Sequence, residues 1–258
     1  MSALETAQVV IVGAGVNGAA TAFFLAERGI SDVIVLDREY PGAGASSRGM
    51  GLLRTFNTNE PAAVLAVKSL DVFAHWADRI GGSAGFRTTG FLWLDRAARR
   101  DALVPHVEML RRLGASSRLV EACELTELQP HLNTDDTIAV YEPDCGTAYG
   151  ARANEAWLGQ RIPAAERFTG LNTWTGVDGF TADYKAIYGE HHECRNLLII
   201  AGASEKGFKV SPAVGMCTAE LIATGRSPDI QKPEFSSARF GRDRIHDAEG
   251  GISVDQLL

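Results

Sequence analysis

Val9-Val10-Ile11-Val12-Gly13-Ala14-Gly15-Val16-Asn17-Gly18, followed by Ala19-Ala20-Thr21-Ala22-Phe23-Phe24-Leu25-Ala26-Glu27-Arg28-Gly29, decides the fold. The first four residues are a β-branched run without alternation, which reads as a buried parallel strand. The next six spell G-x-G-x-x-G. Ala19 to Arg28 has helical composition, and Gly29 supplies its C-terminal stop. Val33-Ile34-Val35-Leu36 repeats the strand pattern and runs into Asp37-Arg38. Strand, glycine turn, helix and strand in this order predict an α/β, Rossmann-like unit that binds a dinucleotide.

Each position has a physical task in that reading. Gly13 permits the tight turn, Gly15 lets a pyrophosphate approach the backbone, and Gly18 lets the helix lie close on the strand. Val16 and Asn17 open the helix, whose free N–H groups and positive dipole end favour phosphate. Asp37, with Arg38 beside it, stands at the tip of the second strand, where a carboxylate accepts from ribose hydroxyls. These residues serve FAD and NAD alike. The loop that follows, Pro41 to Arg54, is long, rich in small residues and basic, and its Ser46, Ser47 and Arg48 suit a cofactor extending across the sheet.

The other end of the chain repeats the theme. Asn196-Leu197-Leu198-Ile199-Ile200-Ala201-Gly202 carries a second buried-strand signature, Ala203 to Pro212 reads as a loop, and Ala213 to Thr224 reads as a helix closed by Gly225. Upstream lies Thr181-Ala182-Asp183-Tyr184-Lys185-Ala186-Ile187-Tyr188-Gly189.

Composition narrows the class. The chain has 258 residues, 45% of them hydrophobic, and a formal charge of −7. That is an ordinary globular balance, long enough for a sizeable core, and it gives no general support to nucleic-acid or anionic-membrane binding. Cys123, Cys145, Cys194 and Cys217 are dispersed without a C-x-x-C, which argues against a disulfide framework or zinc site and fits a reducing compartment. No apolar run reaches a membrane-spanning length, and the first residues do not read as a signal peptide, so the expected location is the cytoplasm.

Four stretches in order, Gly13–Gly18, Ser46–Arg54, Thr181–Gly189 and Gly207–Gly215, resemble the FAD-dependent oxidoreductases of the D-amino acid oxidase family, which includes sarcosine oxidases, glycine oxidases and dimethylglycine dehydrogenases. Ala182 and Ala186 stand where that family usually has proline. The resemblance implies FAD as cofactor, with Gly202, Gly207, Phe208 and Lys209 beside the flavin ring. It also implies that the helix starting near Ala213 aims its N-terminus at the flavin. Arg54 and Lys209 match positions that hold a substrate carboxylate. The implied reaction oxidises the C–N bond of an amine or amino acid, by hydride transfer to flavin N5 and hydrolysis of the imine, with oxygen or an electron carrier as acceptor. No metal is implied.

The middle of the chain reads as helix over Ala62–Ile80, strand over Phe86–Leu94, helix over Asp101–Leu113, a short helix over Cys123–Leu132 and strand over Ile138–Tyr141, the last leading into Pro143–Tyr149. Against the family, a long block is missing after Tyr149. Gly150–Arg161 has little strand character, and Arg167–Gly176 resembles the last substrate-domain strand. The expected organisation is an FAD-binding domain from 1–85 and 177–240, a truncated antiparallel-sheet substrate domain from 86–176, and a polar tail from 241–258. The missing block predicts exposed apolar faces and unpaired strand edges, hence an oligomer or a partner subunit. His191-His192-Glu193-Cys194 reads as a surface turn.

Three readings stay open at this stage: an FAD-dependent amine or amino-acid oxidoreductase, a non-catalytic or partner-dependent FAD-binding fragment, and an NAD(P)-dependent dehydrogenase.

Overall fold

A computed structural model describes residues 6–130, 132–149, 179–204 and 206–240. Strand β1 (Val9–Val12) and strand β2 (Val33–Leu36) pair in parallel, with Val9 opposite Val33 and Val12 opposite Leu36. Helix α1 (Val16–Glu27) is the crossover between them. Gly13 adopts a φ of 110°, and its N–H donates to the Leu36 carbonyl at 2.7 Å, which closes the turn onto the second strand. At Gly18 a Cβ would stand 2.0 Å from the Gly13 carbonyl oxygen, so only glycine lets the helix lie this close. The helix begins three residues before Ala19 and ends ahead of Gly29, whose φ is 80°.

The expectation that β1 is buried needs correction. Val9 and Ile11 pack toward α1, but Val10 is 51% and Val12 85% exposed, and Leu36 is exposed too. Among the described residues no third strand pairs with β1 or β2. A β-branched run specifies a strand that tolerates apolar surroundings on both faces; the covering must come from elsewhere in the chain.

Helix α2 (Glu60–Ala74) starts two residues before Ala62, where the Asn59 side chain accepts from the Ala62 N–H at 3.0 Å and Pro61 occupies the first turn. The single helix expected to Ile80 breaks at His75 and resumes as α3 (Trp76–Arg79). Phe73 and Trp76 stack at 5.3 Å across that break, in a core shared with Phe23, Phe24 and Leu25 of α1.

The middle of the chain forms two small antiparallel sheets. In the first, β8 (Gly146–Thr147) sits between β3 (Leu52–Leu53) and β4 (Arg87–Thr88). In the second, β7 (Thr137–Glu142) sits between β5 (Phe91–Arg96) and β6 (Arg118–Val120). The one strand expected over Phe86–Leu94 is therefore two, divided at Gly90, whose φ is 72°. Helix α4 (Arg100–Arg112) lays Leu103, Val107 and Leu110 on Ile138 and Val140, and α5 (Ala122–Leu128) buries Leu125 against Ala139. The antiparallel expectation for this region holds.

Strands β9 (Ile187–Glu190) and β10 (Leu198–Ala201) form an antiparallel pair. Helix α6 spans Gly207–Thr224, so it starts six residues earlier than expected, and Pro212 lies inside it. Proline removes an N–H and crowds the carbonyl four residues back, which makes it look like a boundary in sequence. Here both consequences are met locally. The Phe208 carbonyl accepts from Ser211 Oγ at 2.8 Å, and the Ala213 N–H donates to the buried Ser69 Oγ of α2 at 3.0 Å. Gly215 lies against α1, where a Cβ would come within 2.6 Å of Ala20 Cβ; its reason is helix packing rather than a cofactor.

The stretches Gly150–Arg161 and Arg167–Gly176 and the tail 241–258 lie outside the described residues. No described helix is long and apolar enough to cross a membrane.

Candidate active site

The glycine turn, the loop before β3, the end of β10 and the first turn of α6 surround a cavity of about 520 Å³. That falls within the roughly 300–1,000 Å³ typical of cofactor and small-ligand sites. Nine residues proposed from sequence line it. Val16, Asn17, Ser46 and Arg48 come from the nucleotide side, Arg54 from the end of the loop, and Gly202, Gly207, Phe208 and Lys209 from the C-terminal third. The stretches that bring them together are about 190 residues apart in the chain, joined because α1 and α6 pack on one another.

Gly13, Gly15, Gly18, Asp37, Arg38 and Ser47 are not on the cavity wall. The first three build the turn. At Gly15 a Cβ would lie 3.2 Å from Ser46 Oγ, so glycine keeps the loop close to the helix start. Ser46 Oγ accepts from the Val16 N–H at 2.9 Å, and Asp37 Oδ2 from the Ala14 N–H at 2.7 Å. N–H bonds from Glu39 and Ala14 hold the Asp37 carboxyl below its ordinary value. Arg38 projects into solvent, its side chain 90% exposed, 3.6 Å from Glu39. Ser47 Oγ donates to the Gly42 carbonyl and shapes the loop.

Arg54 stands at the rim between this cavity and a hollow of about 100 Å³ bordered by Phe56, Trp93 and His106. Its guanidinium carbon lies 5.3 Å from the Trp93 ring centre and 5.8 Å from that of Phe91, and it donates to the Phe56 carbonyl. Stacking and that bond together orient the cation.

Lys209 is the most unusual group on the wall. The residue is 5% exposed, and its Nζ is buried with no hydrogen-bond partner. Burial pulls its pKa well below that of an ordinary lysine; Arg54 and Lys206 push the same way, while Glu142 and Cys145 oppose them. Asn17 Oδ1, also on the wall, is a second buried polar atom without a partner. Two residues of one wall thus carry buried polar atoms without a partner, an acceptor on Asn17 and an amine on Lys209, which a ligand offering a donor and an accepting group would satisfy.

The wall also contains residues that the sequence reading did not single out. Tyr188 is buried, its phenol raised in pKa by desolvation, and it packs against Phe235 at 5.2 Å. Its place in the Thr181–Gly189 stretch was the available signal. Met50 and Leu52 come from the glycine loop. Away from the cavity, His191–Cys194 form a turn in which His191 Nδ1 accepts from the N–H groups of Glu193 and Cys194, both at 3.1 Å.

The dinucleotide fits this arrangement. The glycine cradle is closed to side chains at Gly15 and Gly18, α1 opens toward the cavity without a side-chain cap on Gly15, and both unpartnered atoms lie on the wall.

Comparison with known proteins agrees. The pattern of the family described as FAD dependent oxidoreductase (DAO) matches residues 8–161. The bovine FAD-dependent oxidoreductase domain-containing protein 1 is 30% identical over 142 residues, 53% of this chain and 27% of that protein. Human mitochondrial sarcosine dehydrogenase is 26% identical over 186 residues, 66% of this chain and 20% of that protein. The chain thus spans about a quarter or less of the length of these two relatives. Among solved structures, the L-proline dehydrogenase of P. horikoshii shares the fold with a TM-score of 0.78 at 18% identity, over 93% of this chain and 99% of that one.

Proposed function

The chain belongs to the DAO family of FAD-dependent oxidoreductases, and from that premise we propose that it oxidises the C–N bond of a small amine or amino acid bearing a carboxylate. The observation that carries this reading is the buried, unpartnered Lys209 Nζ on a wall shared with Arg54. Arg54 and Lys209 are two basic side chains on one wall, and together they supply the donors that a carboxylate needs. When bound, FAD would supply the hydride acceptor.

The chain's own residues do the rest. The turn Gly13–Gly18, with Val16 and Asn17, would hold the pyrophosphate, and Asp37 would meet the ribose. Ser46 and Arg48 would follow the cofactor across the sheet. Gly202, Gly207 and Phe208 would form the wall beside the flavin ring, with the α6 N-terminus turned toward it. Arg54 and Lys209 would clamp the substrate carboxylate, leaving its amine-bearing carbon toward the ring. Buried Tyr188 and half-buried Phe208 would exclude water from that contact. In this proposal residues 1–85 and 177–240 bind the cofactor and 86–176 contribute the substrate side. The four cysteines are unpaired, which fits a reducing compartment such as the cytoplasm.

The test is spectroscopic. The purified protein should be yellow, and sarcosine, dimethylglycine, proline or a D-amino acid should bleach it anaerobically. A flavin that none of these bleaches would reject the catalytic reading. A second reading, an FAD-binding unit completed by a partner, is favoured by the exposed face of Val10, Val12 and Leu36. Under it the isolated chain would take up flavin substoichiometrically and associate in sedimentation velocity runs.

A further inference from the structure

Behind the Arg54 rim lies a carboxylate that the proposed reaction does not use. Glu142 ends β7 and is 2% exposed. Its oxygens accept from the Thr55 N–H at 3.0 Å, from the Thr55 hydroxyl, from Ser117 Oγ at 2.8 Å and from Cys145 Sγ at 3.4 Å. None of these partners is a cation. The carboxylate therefore ties together the segment that follows β3, the turn into β8 and the start of β6. Thr55 is the residue next to Arg54, and Asn57 Nδ2 donates to the Thr55 carbonyl at 2.9 Å, which holds the following peptide of the same residue.

A buried carboxylate is costly unless its charge is used. Four neutral donors satisfy its lone pairs and leave the net charge uncompensated. Close by, Arg54 and Lys209 are two cations on one wall, the second without a partner.

We propose that Glu142 is a positioning residue for the anion site: through Thr55 it sets where the Arg54 guanidinium enters the cavity, and it supplies a carboxylate behind a wall that itself carries Arg48, Arg54 and Lys209 and, among the described residues, no acid. The inference rests on the reading of Arg54 and Lys209 as carboxylate anchors. The groups that act on Lys209 are Arg54 and Lys206, which disfavour its charged form, and Glu142 and Cys145, which favour it. Cys145 is itself held as a neutral thiol by burial and by the adjoining Glu142. Glu142 is thus the anionic group among them.

Acetate, with acetamide as the uncharged control, tests this by calorimetric titration of the purified protein from pH 6 to 10. In the wild type, acetate affinity should fall as pH rises through the titration of Lys209, and acetamide affinity should not. In Glu142→Gln the carboxamide oxygen still accepts from the Thr55 N–H, and the rotatable Thr55 and Ser117 hydroxyls accept from its NH2. The fall should then begin about one pH unit lower, and Glu142→Asp should restore part of that shift. A Glu142→Gln variant that only melts earlier, with its pH dependence unmoved, overturns the proposal, because a purely structural clamp does that. If Lys209→Met leaves acetate affinity unchanged while Glu142→Gln moves nothing, the anchor reading and the proposal fall together; if Lys209→Met weakens acetate and Glu142→Gln moves nothing, the proposal alone falls. Should Glu142→Gln fail to fold, Thr55→Val keeps the charge and removes one grip. It should weaken acetate about 3- to 10-fold at pH 6, the range set by one hydrogen bond, and unchanged affinity there overturns the proposal.

Discussion

Replacing Lys209 by methionine should make the protein more stable and the anion site weaker, and the gain in stability should depend on pH. Methionine has a similar length, keeps the apolar stem in place and removes an Nζ that is buried without a partner. An unsatisfied buried polar group costs about 1–3 kcal/mol, more if charged. For a chain of this size 1 kcal/mol moves Tm by about 2–4 °C, so the variant should melt about 2–12 °C higher. The sign of the pH effect follows from linkage. The folded protein holds Lys209 below its ordinary value of 10.5, chiefly by burial. The unfolded chain therefore binds the extra proton over the window between the lowered pKa and 10.5. The penalty is complete below that window, shrinks as pH rises through it, and is gone above it.

Urea unfolding of wild type and Lys209→Met at pH 6, 8 and 10 measures this directly. The advantage of the methionine variant should be largest at pH 6 and smallest at pH 10. Loss of one charge-assisted hydrogen bond, about 1.5–3 kcal/mol, should at the same time raise the Kd for a carboxylate about 10- to 150-fold. A methionine variant that is less stable at every pH, or whose advantage does not vary with pH, would refute the claim that Nζ lacks a partner in the free protein. The site would then hold no stored demand for an anion.

Three further outcomes follow from particular contacts. Gly18→Ala places a Cβ 2.0 Å from the Gly13 oxygen; the strain should cost about 1–3 kcal/mol and lower the flavin-to-protein absorbance ratio, and a variant with full flavin content would reject the cradle. Gly215→Ala drives a methyl to within 2.7 Å of the Ala20 carbonyl carbon, so it should lower Tm by a similar cost and also weaken acetate binding, because α6 carries both contacts. Asp183 receives a paired bond from Arg239, at 2.7 and 3.1 Å. Burial raises its pKa, but Arg239 and the Lys185 N–H outweigh that and leave it below 3.8; its stabilisation is present above that value and is lost as pH falls through the lowered one. Asp183→Asn should therefore cost about 1 kcal/mol or less at pH 7, Asp183 keeping partial contact with solvent, and the cost should shrink in melts at progressively lower pH below 3.8.

The nucleotide half was legible because each of its devices is local. The turn, the close approach at Gly18 and the stop at Gly29 are demands on single residues, and each leaves one letter in the chain. Helix α6 was misread at its start because Pro212 has the same letter as a boundary and a different meaning here. What rescues it, the Ser69 hydroxyl oxygen accepting from the Ala213 N–H, lies 144 residues away, and nothing near Pro212 announces it. The exposure of Val10 and Val12 was illegible in the same way, since burial is a property of what lies opposite. Glu142 was missed for a third reason. An isolated acid before Pro143 looks like an ordinary turn residue, and only the meeting of Thr55, Ser117 and Cys145 reveals it as buried.

These features converge on one element. Helix α6 presents Gly207, Phe208 and Lys209 to the cavity and, eight residues after Gly207, Gly215 to α1. Residues eight apart lie close to one face of a helix, a little over two turns along it. The contact that seats α6 on the nucleotide-binding helix is therefore rigidly connected to the turn that carries the anion anchor. Ser69 fastens the same helix to α2 at the point where Pro212 would otherwise weaken it. The cofactor cradle and the proposed carboxylate clamp are thus held in fixed relation by close-packed helices, and a shift of α6 that loosened one would displace the other. The proposed oxidation would require that coupling, because a misplacement of about 1 Å between a substrate carbon and a flavin ring can cost a hundredfold in rate.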